Sequence, residues 1–416
     1  MSGLTRESGA LALDGVSLEE VARRFGTPCY VYSRAMIESA FREIDEALAG
    51  VDHLVCYAMK ANSNLAILEA LARLGAGFDI VSGGEMARVL AAGGRPGRII
   101  FSGVGKSEAE MRAALQAGIR CFNVESEPEL ERLDAIARSM GVVAPVSLRI
   151  NPDVDARTHR YISTGLAANK FGIPHARAVG AYRRAAQLEH LKVVGIDCHI
   201  GSQILDLDPL DAALERVMEL VAKVEAEGIR IGHVDLGGGF GIRYRDETPP
   251  DVRAWCARLA ARFAGGRYEV LLEPGRRLVG NAGVLLTKVE YLKVDKVKRF
   301  AVVDASMSEL IRPALYQAWH EIVPVGAAHG EPARYDVVGP VCESTDVLGE
   351  DRDLAVAPGD VLAILSAGAY AMVMASNYNS RPRPCEVLVD RGQAYEVRSR
   401  EAIDSLFALE KRLPRD

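Results

Sequence analysis

His53-Leu54-Val55-Cys56-Tyr57-Ala58-Met59-Lys60-Ala61-Asn62 opens as a short apolar run and ends on a lysine. A run of this length, bounded by polar residues, reads as a strand buried on both faces. Runs of the same kind recur at 77–81, 98–101, 120–124, 146–150, 193–198, 233–236 and 269–272. Between them lie amphipathic stretches with helical spacing, such as 65–74, 84–92, 109–117, 127–140 and 210–227. Strands alternating with helices in this way predict an α/β chain built on a parallel (β/α)8 TIM-type barrel rather than an open doubly wound sheet. The barrel is expected over residues 35–281.

Beyond residue 282 the rhythm changes. Runs at 285–291, 300–303, 335–338, 360–364 and 386–389 have no long helices between them, which predicts a mainly antiparallel β domain over 282–416. The isolated early run Pro28-Cys29-Tyr30-Val31-Tyr32 is expected to join that sheet, so that residues 1–34 make the β domain discontinuous. No repeat, low-complexity segment or long linker interrupts the chain.

Composition narrows the function classes. A hydrophobic fraction of 49%, a charged fraction of 25% and a net charge of -6 are ordinary for a globular protein and leave no basic footprint for nucleic acid or anionic membrane. Residues 1–7 carry no apolar signal segment, and no stretch approaches the roughly 18 uninterrupted apolar residues of a membrane span. The expectation is a cytoplasmic enzyme. The seven cysteines are scattered without a Cys-x-x-Cys pair, which argues against a disulfide framework or a zinc cluster, and the histidines show no ligand spacing. No metal site is expected.

Polar residues at the C-terminal ends of barrel strands converge on one mouth. Here those ends carry Lys60, Asp79 with Ser82, Ser102, Glu125, Arg149 with Asn151, His199 with Ser202, Gly237-Gly238-Gly239, and Glu273 with Arg276. Lys60 at the edge of a core could be freed as a nucleophile by desolvation, or could simply reach into water. Asp235-Leu236-Gly237-Gly238-Gly239-Phe240-Gly241 offers backbone N–H groups to an anion or makes a tight turn. Glu273 in Glu273-Pro274-Gly275-Arg276 needs a cationic partner, either Arg276 or a protonated pyridine nitrogen. His199 is either a structural histidine or a flat ring for stacking.

Tyr57-Ala58-Met59-Lys60-Ala61-Asn62, His199-Ile200-Gly201-Ser202-Gln203, Gly237-Gly238-Gly239-Phe240-Gly241 and Glu273-Pro274-Gly275-Arg276, in this order, resemble the fold-type III pyridoxal-phosphate decarboxylases, relatives of alanine racemase. In the β domain, residues 307–316, Gly339-Pro340-Val341-Cys342-Glu343-Ser344-Thr345-Asp346, Gly368-Ala369-Tyr370 and 377–384 narrow the resemblance to the diaminopimelate decarboxylase family. It runs through nearly the whole chain. Thr345 and Ala371-Met372-Val373-Met374 depart from it, where other residues are commoner.

The resemblance implies pyridoxal 5'-phosphate as cofactor and decarboxylation of meso-2,6-diaminopimelate to L-lysine and carbon dioxide, the last step of lysine biosynthesis. It implies that Lys60 bonds the cofactor as a Schiff base, with Asp79 and Ser82 near the ring or the lysine. His199 stacks on the ring, Glu273 keeps the ring nitrogen protonated, and Ser202, Gly238, Gly239 and Arg276 surround the phosphate. Tyr370 contacts phosphate or substrate. Cys342, flanked by Glu343 and Asp346, is the implied proton donor. Arg276, Arg312 and Tyr316 take the distal carboxylate and Glu343 the distal ammonium. A homodimer is implied in which Cys342 and Glu343 cross to the partner's site. An inactive binding protein, a decarboxylase for another amino acid and a racemase are the competing classes.

Overall fold

The computed structural model describes residues 3–7, 9–155, 170–327 and 329–414. The chain forms two compact units, one of Glu38–Ile242 with Glu247–Leu278, the other of Met1–Ile37, Arg243–Asp246 and Val279–Asp416. The excursion at 243–246 leaves no trace in the hydrophobic pattern.

The first unit holds eight parallel strands, β1 (His53–Ala58), β2 (Gly77–Ile80), β3 (Ile99–Phe101), β4 (Cys121–Val124), β5 (Ala144–Asn151), β6 (Leu191–Asp197), β7 (His233–Asp235) and β8 (Glu269–Leu272). Each pairs in parallel with its neighbour, and β8 returns to β1, so the sheet closes into the expected barrel. Leu54, Cys56, Ile100, Cys121 and Leu271 form an apolar cluster inside it.

Strand register decides which polar side chains become neighbours. Ala58 lies opposite Asp79, Arg149 opposite Asp197, and Asp197 opposite Asp235. After the strands, small polar residues start the crossover helices. Asn64 caps Leu65–Arg73, Ser82 caps Gly83–Ala91 by accepting from Glu85 N at 3.1 Å, and Ser126 caps Glu127–Met140. Ser107 and Glu110 form a reciprocal capping box at Glu108–Ala117. These side chains satisfy N–H groups that a helix start leaves unpaired. Ser82 therefore has a structural role that its position after a barrel strand does not reveal.

The second unit is organised by the long strand Gly283–Val294, which pairs antiparallel with Cys29–Ser33, Arg299–Val303 and Val361–Ile364. Cys29–Ser33 also pairs in parallel with Cys385–Asp390, so the early strand does enter a mainly antiparallel sheet. A small antiparallel meander, Leu4–Glu7, Ala10–Leu13 and Val16–Ser17, precedes it and was not foreseen. Leu18, Val31, Leu286, Ala363 and Val387 share its core. No helix among the described residues is long and apolar enough to cross a membrane. Cys342 is exposed, whereas the other six cysteines are buried.

Candidate active site

β1 runs straight into a 3-10 turn, Met59–Ala61, and this turn presents Lys60. The Lys60 Nζ donates to Asp79 Oδ2 at 2.7 Å; Asp79 is fully buried, while the lysine side chain remains 37% exposed. The lysine is therefore oriented by an ion pair, and the sequence-based idea of a nucleophile prepared by desolvation is corrected. An ammonium must pass on a proton before it can attack, and Asp79 is the carboxylate already in contact with it.

Beside this pair the barrel carries an excess of buried acid. Asp197, Asp235 and Glu273 each bring one oxygen within 4.8 Å of the others. Neither carboxylate oxygen of Asp197 meets a hydrogen-bond partner among the described residues, although Arg149 Nε stands 3.9 Å from its Oδ2. Arg149 also reaches Glu125 Oε1 at 3.4 Å. Burial, then the charge of its acidic neighbours, holds the Glu273 carboxyl well above the usual carboxylate range. The same forces raise Asp197. Asp235 is pushed up to about 7 by burial and by Asp79, against the opposing pull of the Gly237 N–H.

A carboxyl raised in this way makes a testable contribution to stability. The folded chain keeps a proton on Asp235 that the unfolded chain releases once pH passes its ordinary value of 3.8, so stability drops as pH rises from there to about 7. Asp235→Asn cannot titrate, yet its side-chain oxygen can still accept from Gly237 N, now at 2.9 Å from Asp235 Oδ1. In the cofactor-free protein, the unfolding temperature of Asp235→Asn is expected to gain on wild type as pH rises from 4 to 7. A gap independent of pH would show that Asp235 does not titrate there.

His199 follows β6 and accepts from Gly238 N at Nδ1, 3.2 Å away. Burial, reinforced by Arg149 and Lys60, lowers its proton affinity well below that of free imidazole. The ring is therefore neutral, with its proton on Nε2. The glycine turn after β7 is shaped by close approach. A Cβ on Gly238 would come 2.1 Å from Glu273 O, and one on Gly239, whose φ is +95°, would come 2.2 Å from Gly201 O. Ile204 N donates to Gly239 O and Gly241 N to Ile204 O, each at 2.8 Å, so the 201–204 and 237–241 loops are zipped together. Arg276, 7% exposed, donates to Ser202 Oγ at 3.0 Å. Two glycine loops, a hydroxyl and a guanidinium are a donor set suited to phosphate.

The other unit holds the remaining sequence candidates. Arg312 begins the short helix Arg312–Tyr316 and is 6% exposed, and its Nη1 donates to Tyr244 Oη at 2.6 Å. Tyr316, at the end of that helix, is half-buried. Tyr370 has φ +54°, an uncommon conformation for a bulky residue and one that often marks a working site. Glu343 accepts from Tyr378 Oη. The Cys342 N–H donates to Asn379 Oδ1 at 3.1 Å. Asp346, expected to flank the Cys342 thiol, instead turns inward and accepts from Met307 N and Val341 N, so it shapes the loop.

Sequence reasoning overlooked Asp197, Asp235 and Tyr244. The two aspartates had a signal, since each ends a barrel strand just before a motif that was read. Tyr244 had none.

Residues 34–280 match the family model for the pyridoxal-binding domain of pyridoxal-dependent decarboxylases. The chain is 57% identical over 414 residues, covering 100% of each chain, to a diaminopimelate decarboxylase of Pseudomonas aeruginosa. It is 56% identical over 410 residues, 98% of each chain, to one of Vibrio cholerae. Among solved structures, a diaminopimelate decarboxylase of Helicobacter pylori complexed with L-lysine superposes with a TM-score of 0.90 at 43% identity, covering 94% of this chain and 98% of that one.

Proposed function

This chain belongs to the diaminopimelate decarboxylase family, among the pyridoxal-dependent decarboxylases, and from that membership we infer that it converts meso-2,6-diaminopimelate to L-lysine and carbon dioxide. This is the last step of lysine biosynthesis, and a cytoplasmic location is part of the reading.

The observation that carries the cofactor assignment is the cluster of buried acid in the barrel. Asp79, Asp197, Asp235 and Glu273 are all buried; Lys60 pairs with Asp79 and Arg149 stands 3.9 Å from Asp197, while Glu273 forms an ion pair with no cation among the described residues. A protonated pyridine nitrogen is the kind of partner such a carboxyl needs. Pyridoxal 5'-phosphate supplies, when bound, the sink for the electron pair left behind as carbon dioxide departs.

In this reading Lys60 is the residue that holds the cofactor covalently and Asp79 orients its Nζ. Glu273 serves the ring nitrogen, neutral His199 the ring, and Ser202, Gly238, Gly239 and Arg276 the phosphate. Arg312, Tyr316 and Arg276 take the substrate's distal carboxylate, Glu343 its distal ammonium, and Tyr370 the phosphate or substrate. Cys342 returns the proton to the carbon that has lost its carboxylate. A homodimer with shared sites accompanies these roles; what supports it is that Cys342 and Glu343 are exposed on the isolated chain.

Carbon dioxide release from diaminopimelate, ornithine, lysine and arginine tests the reading. A substrate without the distal carboxylate forgoes the charge-assisted contact that Arg312 would make, so kcat/KM is expected to fall by roughly 10⁴-fold relative to diaminopimelate. Equal turnover of ornithine would overturn the role given to Arg312.

A further inference from the structure

We propose that Tyr244 is a positioning residue for substrate selection, holding the Arg312 guanidinium ready for a carboxylate. The inference rests on the role of Arg312 above and extends it to a residue that touches neither the reacting atoms nor, in that reading, the substrate.

Tyr244 sits in Arg243–Asp246, four residues that pack with the β unit although the chain on both sides belongs to the barrel unit. The segment is anchored there by its backbone. Arg243 O accepts from Asn281 Nδ2 at 2.9 Å and from Ser366 Oγ at 3.4 Å. Tyr244 is 7% exposed and meets Arg312 twice, with its hydroxyl accepting from Nη1 at 2.6 Å and its ring centroid 4.7 Å from Cζ.

A hydrogen bond fixes one edge of the guanidinium, and the ring contact fixes its tilt. Together they leave the arginine little freedom of its own. The tyrosine ring is held in turn. His320, fully buried, packs edge-on against it, with centroids 5.3 Å apart and planes at 82°, and its Nδ1 lies 2.8 Å from Leu365 O. The next residue, Arg245, lies 4.3 Å from the Trp319 ring, three positions beyond the Arg312–Tyr316 helix. The excursion thus grips the start of that helix and the chain that leaves it.

Guanidinium donors are fixed in a planar fork, so an orientation set in advance leaves less freedom to be lost when a carboxylate binds. Tyr244→Phe keeps the ring and removes the hydroxyl. A lost hydrogen bond to a charged group is expected to raise KM for diaminopimelate roughly tenfold, while kcat stays within about twofold.

The test is a double-mutant cycle on the cofactor-loaded, full-length enzyme, with Tyr244→Phe, Arg312→Met and the double variant. Steady-state kcat and KM are read for diaminopimelate, using kcat/KM where saturation is not reached. The expected result is that Tyr244→Phe costs about tenfold with Arg312 present and nothing measurable in the Arg312→Met background. An equal cost in both backgrounds, or a loss that falls on kcat, would overturn the proposal. If Arg312→Met alone leaves kcat/KM unchanged, the reading of Arg312 fails first. If that variant is impaired and Tyr244→Phe is not, only the positioning role falls. The same cycle on unfolding temperatures applies should a variant be too unstable for kinetics, and absence of coupling there also overturns the proposal.

Discussion

Lys60→Ala is expected to abolish the cofactor's visible absorption band and to lower kcat by at least about 10⁴-fold. The lysine is the amine that the proposed chemistry needs at the mouth of β1, and its Nζ lies 2.7 Å from Asp79. Removing it has a second consequence. Asp79 is fully buried and its Oδ1 has no hydrogen-bond partner among the described residues, so loss of the ammonium strands a buried carboxylate. The cofactor-free variant should lose roughly 1–3 kcal/mol of stability, below the range for a wholly buried pair because the lysine is partly exposed. Adding Asp79→Asn should restore much of that stability and none of the activity. Retention of the band in Lys60→Ala, measured by absorption after reconstitution with pyridoxal phosphate, would refute the assignment.

Glu273→Gln is the second large effect. Burial and the neighbouring acids hold the Glu273 carboxyl well above the usual range, a state that a cationic partner relieves. Glutamine preserves the shape and can still meet Asn123 Nδ2, which lies 3.5 Å from Glu273 Oε1, but it cannot become an anion. If Glu273 holds the ring nitrogen as proposed, glutamine would remove the charge that keeps it protonated and the electron sink would weaken. The expected result is a kcat lowered by about 10²–10³-fold with KM little changed, since none of the residues assigned to the substrate has been altered. Cofactor retention is expected, because Ser202, Arg276 and the glycine loops are untouched. A full-rate Glu273→Gln enzyme would remove the carboxylate from the proposed chemistry.

Much of the barrel site was legible because a barrel strand has a direction. Whatever follows its last apolar residue belongs to one mouth, so Lys60, His199, the 237–241 glycines and Glu273 could be named as candidates from position, while their roles came from the resemblance. The same rule does not reveal the cap that Ser82 forms, since a strand end is also a helix start. It under-read Asp197 and Asp235, which are the last residues of their strands and become neighbours only through the register that sets one opposite the other.

The β unit was less legible. Its strands come from both ends of the chain, and nothing in an alternating pattern records that Cys29–Ser33 lies between Gly283–Val294 and Cys385–Asp390. Asp346 shows the limit well: three residues from Glu343, it turns into the fold because two backbone N–H groups there need an acceptor.

By itself, then, the order of apolar runs determined the barrel and the presence of a β unit after it, because periodicity and strand direction are local properties of a chain. The motifs determined the family. Tertiary structure alone decided that Lys60 donates directly to the Asp79 carboxylate, that three buried acids crowd together in the barrel, and that a tyrosine from a four-residue excursion holds Arg312. Each of these depends on contacts between residues far apart in sequence, and such distances close only when the chain folds.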